Sequence, residues 1–168
     1  MKRNSIIDNI AMQMMLPVDS LDGSSDKEII HLIESVENIN STDRDGRTLL
    51  IHASTYHRIA VVDYLLSQNA DINAQDKLGY TALHAAVNAQ DYAITQLLLS
   101  RKANVKAVDK WGNTPLFRTS HLHPELIQLL LDNGADPQQS NNYGITAYQM
   151  YQAYPDILQM FDSIQTGG

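Results

Sequence analysis

The sequence predicts an all-α solenoid, in which short helix–turn–helix units stack side by side and each unit begins with a β-hairpin finger. The first observation is a repeat of 33, 33 and 32 residues, carried by four glycines that are each followed two residues later by a threonine (Gly46, Gly79, Gly112 and Gly144). The second is composition: apolar residues make up 43% of the 168 residues, but only 7% are aromatic. A chain of similar units, each with a small core of Leu, Ile, Val and Ala, accounts for the repeat and for the low aromatic content.

Two further series keep the same register, and both fall near the end of each unit. Their members are three segments with a central alanine (69–71, 102–104 and 134–136) and three leucine pairs (65–66, 98–99 and 130–131). Four series in one register are far more than chance produces. Periods of 20–50 residues are typical of solenoids, in which each unit buries its apolar side against the next.

The second unit illustrates why each segment takes its structure. The stretch 76–80 has the composition of a turn, and Gly79 can adopt the positive φ that a hairpin tip requires. Thr81 is a candidate N-cap for a short helix over 83–89. A second helix is expected over 92–100, because its apolar residues recur at helical spacing.

The end of that second helix is unusual. The residue after a helix often adopts the left-handed conformation, which favours Gly or Asn. Asn69 and Gly134 satisfy this preference in the first and third units, but the second unit has Lys102. We therefore expect Lys102 to be strained.

These segments resemble the ankyrin repeat. Residues 81–86 read Thr-Ala-Leu-His-Ala-Ala and residues 114–117 read Thr-Pro-Leu-Phe, both similar to the Thr-Pro-Leu-His signature of that family. Residues 69–74 read Asn-Ala-Asp-Ile-Asn-Ala, similar to its Gly-Ala-Asp-Val-Asn-Ala ending. The resemblance covers residues 26–165. It implies an ankyrin repeat α-solenoid, and it implies that His84 makes a structural hydrogen bond between neighbouring loops.

The ends of the chain depart from the pattern and are interpreted as caps, which a solenoid needs to cover its terminal apolar faces. A single domain over 1–168 is expected, with an N-terminal capping half repeat (4–42, loop 17–25), repeat 1 (43–75), repeat 2 (76–108), repeat 3 (109–140), a degenerate C-terminal capping repeat (141–165) and a tail (166–168). The cap helices are predicted over 4–16, 26–36, 148–154 and 156–164. The first is predicted because Ile7, Ile10, Ala11, Met14 and Met15 fall at helical spacing.

Composition narrows the classes of function. The chain has no cysteine, which excludes disulfides, cysteine-ligated metals and a cysteine nucleophile. The net charge is −7 and uneven: residues 1–42 carry seven acids and three bases, residues 43–119 seven and nine, and residues 120–168 five and none. An acidic chain argues against nucleic-acid binding. No apolar run could span a membrane, and polar residues interrupt the only candidate signal peptide, so we expect a cytoplasmic protein.

Catalysis has little support. His121 and His123 are the one close histidine pair, and two histidines without an assured third ligand are a weak metal signal. Asp43, Asp76 and Asp109 share one repeat position, so they should lie about 10 Å apart and cap their own hairpin turns. We predict no catalytic residue, no metal and no cofactor. A metal-dependent enzyme that uses the two histidines is the remote alternative.

The resemblance implies that the finger tips and first helices line one concave binding face. We predict that the partner is contacted by residues that the repeat does not dictate: Arg44, Asp45, Arg47, His52, Lys77, Leu78, Tyr80, Lys110, Trp111, Asn113, Arg118, Asn142 and Tyr143. Leu78, Trp111 and Tyr143 stand before the finger glycines, where the family usually has small polar residues. Exposed apolar residues in consecutive repeats favour an interface. The alternative is that each packs on the neighbouring finger.

The sequence thus predicts a non-catalytic protein-binding module that is a monomer when free. We expect no second domain and therefore one stoichiometric partner, which is typical of an inhibitor or neutraliser. The small size and the single repeat domain resemble those of ankyrin-type immunity proteins that bacteria pair with secreted toxins. The alternative is an adaptor or effector that binds a signalling or host protein. The basic middle segment favours an acidic partner surface, whereas a basic toxin would be expected to dock on the acidic C-terminal cap.

Overall fold

The computed structural model describes residues 6–16 and 24–165, which form nine α-helices and one 3₁₀ helix. The helices are α1 Ile6–Met15, α2 Ser24–Ile33, α3 Leu49–Thr55, α4 Ile59–Ser67, α5 Ala82–Asn88, α6 Tyr92–Ser100, the 3₁₀ helix Pro115–Arg118, α7 Pro124–Asp132, α8 Ala147–Met150 and α9 Pro155–Gln165. Most of the predicted loop 17–25, the start of the N-terminal cap and the tail 166–168 lie outside the described residues.

The helices form two layers. An inner row contains α1, α3, α5 and the 3₁₀ helix, and an outer row contains α2, α4, α6 and α7, with α9 packed against α7. Aliphatic side chains between the rows, such as Leu50, Leu83 and Ile94, are at most 1% exposed. Each such side chain is worth about 1.5–3 kcal/mol of folding free energy. The predicted all-α repeat fold is confirmed.

Threonines start the inner helices as the register predicts. The hydroxyls of Thr48, Thr81 and Thr146 accept the N–H three residues later, at 3.3, 3.3 and 3.1 Å. Such N-caps are worth about 1 kcal/mol each. Repeat 3 is the exception: Thr114 makes no such bond, and Pro115–Arg118 form a single 3₁₀ turn. This repeat lacks one residue between its two helices, and its inner helix is correspondingly short.

The outer helices end in the predicted conformation. Asn69, Lys102 and Gly134 have φ values of 60°, 66° and 88°, which lie in the left-handed region. The N–H of Lys102 donates to the carbonyl of Leu99 at 2.9 Å, and the N–H of Ala103 donates to that of Leu98 at 3.0 Å. These two bonds form a Schellman motif. Lys102 therefore holds a conformation that favours glycine.

The fingers have the shape of a hairpin but not its strands. In the second finger, the N–H of Asp76 donates to the carbonyl of Tyr80 at 2.9 Å, and the N–H of Gly79 donates back to Asp76 at 2.9 Å. Among the described residues, isolated β-bridges occur only at the bases of the first and last fingers. The turn occupies so much of each finger that no ladder of strands develops.

Backbone hydrogen bonds join consecutive fingers near their tips. In each joint, one N–H donates to a carbonyl of the preceding finger: Lys77 to Asp45 at 2.9 Å, Lys110 to Leu78 at 2.8 Å and Asn142 to Trp111 at 2.9 Å. The third joint requires a glycine, because a Cβ on Gly112 would lie 2.5 Å from Oδ1 and 2.7 Å from the backbone nitrogen of Asn142. The tips therefore form a continuous edge.

A buried arginine anchors the N-terminal cap. Arg58 is 1% exposed, and its guanidinium donates to the carbonyls of Met14 and Leu16 and to the Asp26 carboxylate. Met15 shares the helical spacing of the predicted stripe, but it is 60% exposed. The other four predicted residues form the buried stripe of α1, and Met15, one residue beyond Met14, is rotated away from it.

The first helix of the C-terminal cap is shorter than predicted. Its first helix ends at Met150, and a turn leads to Pro155 at the start of α9. A proline disfavours helical geometry in the residue before it, which separates the two helices. Tyr151 and Phe161 are buried against the end of the stack. The Tyr151 hydroxyl donates to the carbonyl of Thr119 in repeat 3 at 2.7 Å.

Candidate protein-binding surface

One side chain closes the base of each finger. Asp43, Asp76, Asp109 and Asn141 occupy the same position, and the Oδ1 of each accepts the N–H groups two and four residues later at 2.8–3.1 Å. Burial alone would raise the pKa of Asp109, but hydrogen bonds from Arg118 and from two backbone N–H groups lower it. The aspartates therefore act as turn caps, as the register predicts.

The second carboxylate oxygen of the aspartate meets a side chain of the inner row. In repeat 1, His52 Nε2 lies 2.9 Å from Asp43 Oδ2. In repeat 3, Arg118 Nη2 donates to Asp109 Oδ2. Both partners stand nine residues after their aspartate. In these two repeats, the residue nine positions after the aspartate therefore holds the finger to the inner helix of its own repeat.

Repeat 2 lacks a side chain that could do this. Its two positions in register with His52 and Tyr56, whose rings stack at 6.3 Å in repeat 1, hold Ala85 and Ala89. The aspartate of this finger is contacted from the preceding finger instead: Arg47 Nε lies 3.5 Å from Asp76 Oδ2. The two small residues leave space on the concave face.

A pocket of about 480 Å³ occupies this space, within the range of ordinary binding pockets. This central pocket is lined by Arg47, Ile51, Thr55, His57, Asp76, Leu78, Tyr80, Ala85, Asn88, Ala89, Trp111 and Arg118. Its residues come from three consecutive repeats. Apolar and aromatic side chains meet two arginines and one buried aspartate here.

Arg118 and the rings of Tyr80 and Trp111 lie close together at one side of the central pocket, and Lys110 lies beside Trp111. The Arg118 guanidinium lies 5.0 Å from the centre of the Tyr80 ring and 5.8 Å from that of Trp111, and Lys110 Nζ lies 4.3 Å from the Trp111 ring. Such contacts are worth about 0.5–1 kcal/mol at exposed sites and more when desolvated. Burial raises the pKa of Tyr80, against the opposing effect of the Arg118 charge.

A second, smaller pocket of about 260 Å³ lies at the N-terminal end of the same face. This N-terminal pocket is lined by Asp8, Ala11, Met12, Met15, Asp43, Arg44, His52 and Tyr56. Met12 and Met15 are 56% and 60% exposed. Methionine is a flexible apolar side chain that suits adaptable binding surfaces. The concave face thus extends from the third finger to α1.

Twelve of the thirteen predicted contact residues fall into three groups, which are the two pockets and the finger tips. Five line the central pocket (Arg47, Leu78, Tyr80, Trp111 and Arg118), and Arg44 and His52 line the N-terminal pocket. Asp45, Lys77, Lys110 and Asn142 are exposed on the finger tips. Tyr143, on the last finger, is 71% exposed and lines neither pocket. The prediction that these residues bind a partner stays a prediction.

Asn113 is already engaged within the stack. His84 Nε2 lies 3.1 Å from its carbonyl oxygen, its Nδ2 donates to Asp109 Oδ2 at 3.3 Å, and its Oδ1 accepts from Asn141 at 2.9 Å. The first contact is the loop-tying hydrogen bond that the resemblance implies for His84. Burial lowers the pKa of His84, so it acts as a neutral structural histidine.

Sequence reasoning missed the residues that shape the pockets. Ala85 and Ala89 open the central pocket, and Met12, Met15 and Tyr56 line the N-terminal one. The signal for the alanines was available, since comparing the repeats in register finds small residues where the others have large ones. The methionines gave no such signal, because Met15 fits the apolar stripe by spacing.

The two histidines that suggested a metal site have different partners. His121 stacks on Tyr154 with ring centres 4.2 Å apart, and His123 Nδ1 lies 3.1 Å from Glu125 Oε1. Residues 6–16 and 24–165 contain no group of three or more potential metal ligands. Every helix in this described part of the chain is too short or too polar to cross a bilayer.

Comparison with known families agrees with this geometry. Residues 68–141 match the family model of ankyrin repeats in three copies, and residues 45–77 match that of the single ankyrin repeat. No curated protein matches the sequence. Ankyrin repeats are generally non-catalytic and mediate binding to other proteins. Since the two matches together span residues 45–141, more than half of the chain, this protein belongs to the ankyrin repeat family and is a protein–protein interaction module.

Proposed function

We propose that the chain binds one protein partner in a 1:1 complex through its concave face and inhibits or neutralises that partner. The central pocket carries this proposal. Leu78 and Trp111 line it, and their carbonyls belong to the joints between fingers. Aromatic and apolar groups at the centre of a charged rim are typical of binding hot spots. A monomeric free state and a cytoplasmic location stay predictions.

The exposed charges of the finger tips favour an acidic partner. Arg44, Lys77 and Lys110 occupy one position in three consecutive fingers, and all are exposed, whereas Asp45 is the only exposed acid beside them in these fingers. The aspartates at the finger bases accept hydrogen bonds from backbone N–H groups of their own turns. A positive edge should steer a negatively charged surface towards the central pocket.

The opposite end of the chain supports the rival docking surface. No Lys or Arg follows Arg118, and five acids of this segment are exposed: Glu125, Asp132, Asp136, Asp156 and Asp162. A basic partner, such as a toxin that acts on nucleic acid, would be attracted to this cap. The concave face is favoured because the cap has no comparable pocket combining aromatic rings and cations among the described residues.

Affinity measurements with the co-purifying partner test the surface. Trp111→Ala should weaken binding by about 2 kcal/mol or more, as expected for a desolvated hot spot. Lys77→Glu with Lys110→Glu should mainly slow association, and the effect should fade at high salt. Tyr92→Ala, an exposed tyrosine of the outer row, is the matched control and should bind normally. If Trp111→Ala binds within about 0.5 kcal/mol of wild type and acid-to-Lys changes in the C-terminal cap abolish binding, the concave face is not the docking surface.

The same complex tests whether the chain inhibits its partner. An inhibitor, such as an immunity protein, should abolish the partner's own activity at one equivalent, and cells that make the partner alone should grow poorly. If the partner keeps its activity in the complex, the chain is an adaptor or effector instead. Trp111→Ala serves as the control here, since a partner released from this variant should regain its activity.

A further inference from the structure

We infer that the central pocket selects the partner through one side chain, a large apolar residue presented next to an Asp or Glu in an extended, acidic segment. This rests on the proposed function and adds the chemistry of what is bound. The inference depends on the shape of the pocket, on the free donors at its rim and on its place in the repeat register.

The interior of the pocket suits an apolar side chain. Ile51, Ala85 and Ala89 contribute aliphatic surface, and Tyr80 and Trp111 contribute ring surface. A volume of about 480 Å³ is far more than a water site needs and can take a bulky residue together with part of its backbone. Burying such a residue against these groups supplies the hydrophobic part of the affinity.

Two arginines at the same pocket suit a neighbouring carboxylate. Arg47 contacts Asp76 through Nε, and Arg118 contacts Asp109 through Nη2, so each has a terminal amino group without a partner among the described residues. The two aspartates are at most 9% exposed and already accept backbone N–H groups. An incoming carboxylate therefore meets guanidinium donors while the buried acids are shielded, and Lys77 adds to the positive edge.

The register makes the pocket a local feature of repeat 2. His52 and Tyr56 fill the two corresponding positions in repeat 1, and Arg118 fills the first of them in repeat 3. Only the middle repeat has alanine there, so the opening lies where the partner's contacts converge. Hot spots cluster at the centre of interfaces, which is the position of this pocket.

The same register supplies a variant that fills the pocket. Ala85→His with Ala89→Tyr copies the pair of repeat 1, and the new histidine can approach Asp76 as His52 approaches Asp43 at 2.9 Å. Thermal unfolding should show a folded protein. Ala89→Tyr alone, at a half-buried position, is the milder second variant. Ala93→Tyr on the outer row is the matched control.

The probe is a phage-displayed library of random 12-residue peptides, selected on the wild-type protein. Enriched peptides should share a large apolar residue next to Asp or Glu, and a synthetic copy should change the fluorescence of Trp111, the only tryptophan of the chain. Both pocket-filling variants should bind that copy about 30-fold more weakly or worse, and Ala93→Tyr should bind it normally. Replacing the acidic residue of the peptide by its amide should weaken binding about tenfold.

Three results would overturn the inference: no enriched peptide, enriched peptides without an acidic residue, or binding to the filled variants within threefold of wild type. The native partner separates this failure from failure of the proposed function. If the partner still binds Ala85→His with Ala89→Tyr but is lost on Trp111→Ala, the concave face is the docking surface and the pocket does not select. If neither variant affects the partner, the proposed function itself fails.

Discussion

Replacing Lys102 by glycine should stabilise the protein by about 0.5–1 kcal/mol. A left-handed conformation costs a residue with a Cβ roughly 1–2 kcal/mol, and Lys102 has φ of 66°. Replacement by glycine removes this cost, but glycine gives the unfolded chain more freedom, which lowers the gain by about 0.5–1 kcal/mol. The Lys102 side chain is exposed and makes no hydrogen bond or ion pair with the described residues, so its removal should cost no contact.

Urea unfolding followed by circular dichroism measures this gain, which corresponds to a rise in Tm of about 1–4 °C. Lys102→Asn copies the residue at position 69 and should give part of the gain. Lys102→Ala removes the same charge but keeps the Cβ, so its stability should match wild type. A neutral or destabilising Lys102→Gly, or an equal gain from Lys102→Ala, would refute strain as the cause.

Three further predictions concern the stack. Deleting residues 146–168 should expose the apolar end of repeat 3 and cause aggregation or partial unfolding, and cooperative melting at an unchanged midpoint would contradict this. Folding lowers the pKa of His84 below its ordinary value of 6.5, so the unfolded chain binds protons first and stability is lost as pH falls below 6.5. Unfolding between pH 7 and 5 should therefore be less pH-dependent in His84→Gln. Gly112→Ala should cost at least about 1 kcal/mol in chemical unfolding, and more than Gly144→Ala, because only the former places a Cβ against Asn142.

The parts of the fold that depend on one residue per repeat could be predicted from sequence. Thr48 and Thr81 cap the inner helices of their own repeats, and Lys102 is left-handed because its repeat position demands it. Such features follow from local chemistry repeated at a fixed period. The shortened inner helix of repeat 3 was not predicted, since a deletion of one residue changes the geometry of its own repeat alone.

The candidate site was predictable in outline only. The register places Trp111 and Arg118 on the concave side, but the depth of the surface between them depends on what is missing at Ala85 and Ala89. Comparing the repeats in register marks these two positions as small, but it does not show how large a space they leave. Likewise, Met15 fits the apolar stripe by spacing, yet it is 60% exposed because it lies at the edge of the stripe, one residue beyond Met14.

Some side chains of the proposed binding surface also hold the repeats together. Arg118 binds the aspartate of its own finger and also covers Tyr80 of the preceding repeat, so its loss would loosen two repeats as well as the pocket. Trp111 makes no side-chain hydrogen bond to the described residues, although its carbonyl accepts from Asn142. Truncating Trp111 to alanine leaves that backbone joint in place. A loss of affinity at Trp111 therefore reports on the surface itself, whereas a loss at Arg118 combines binding with the order of the repeats on which a preorganised surface depends.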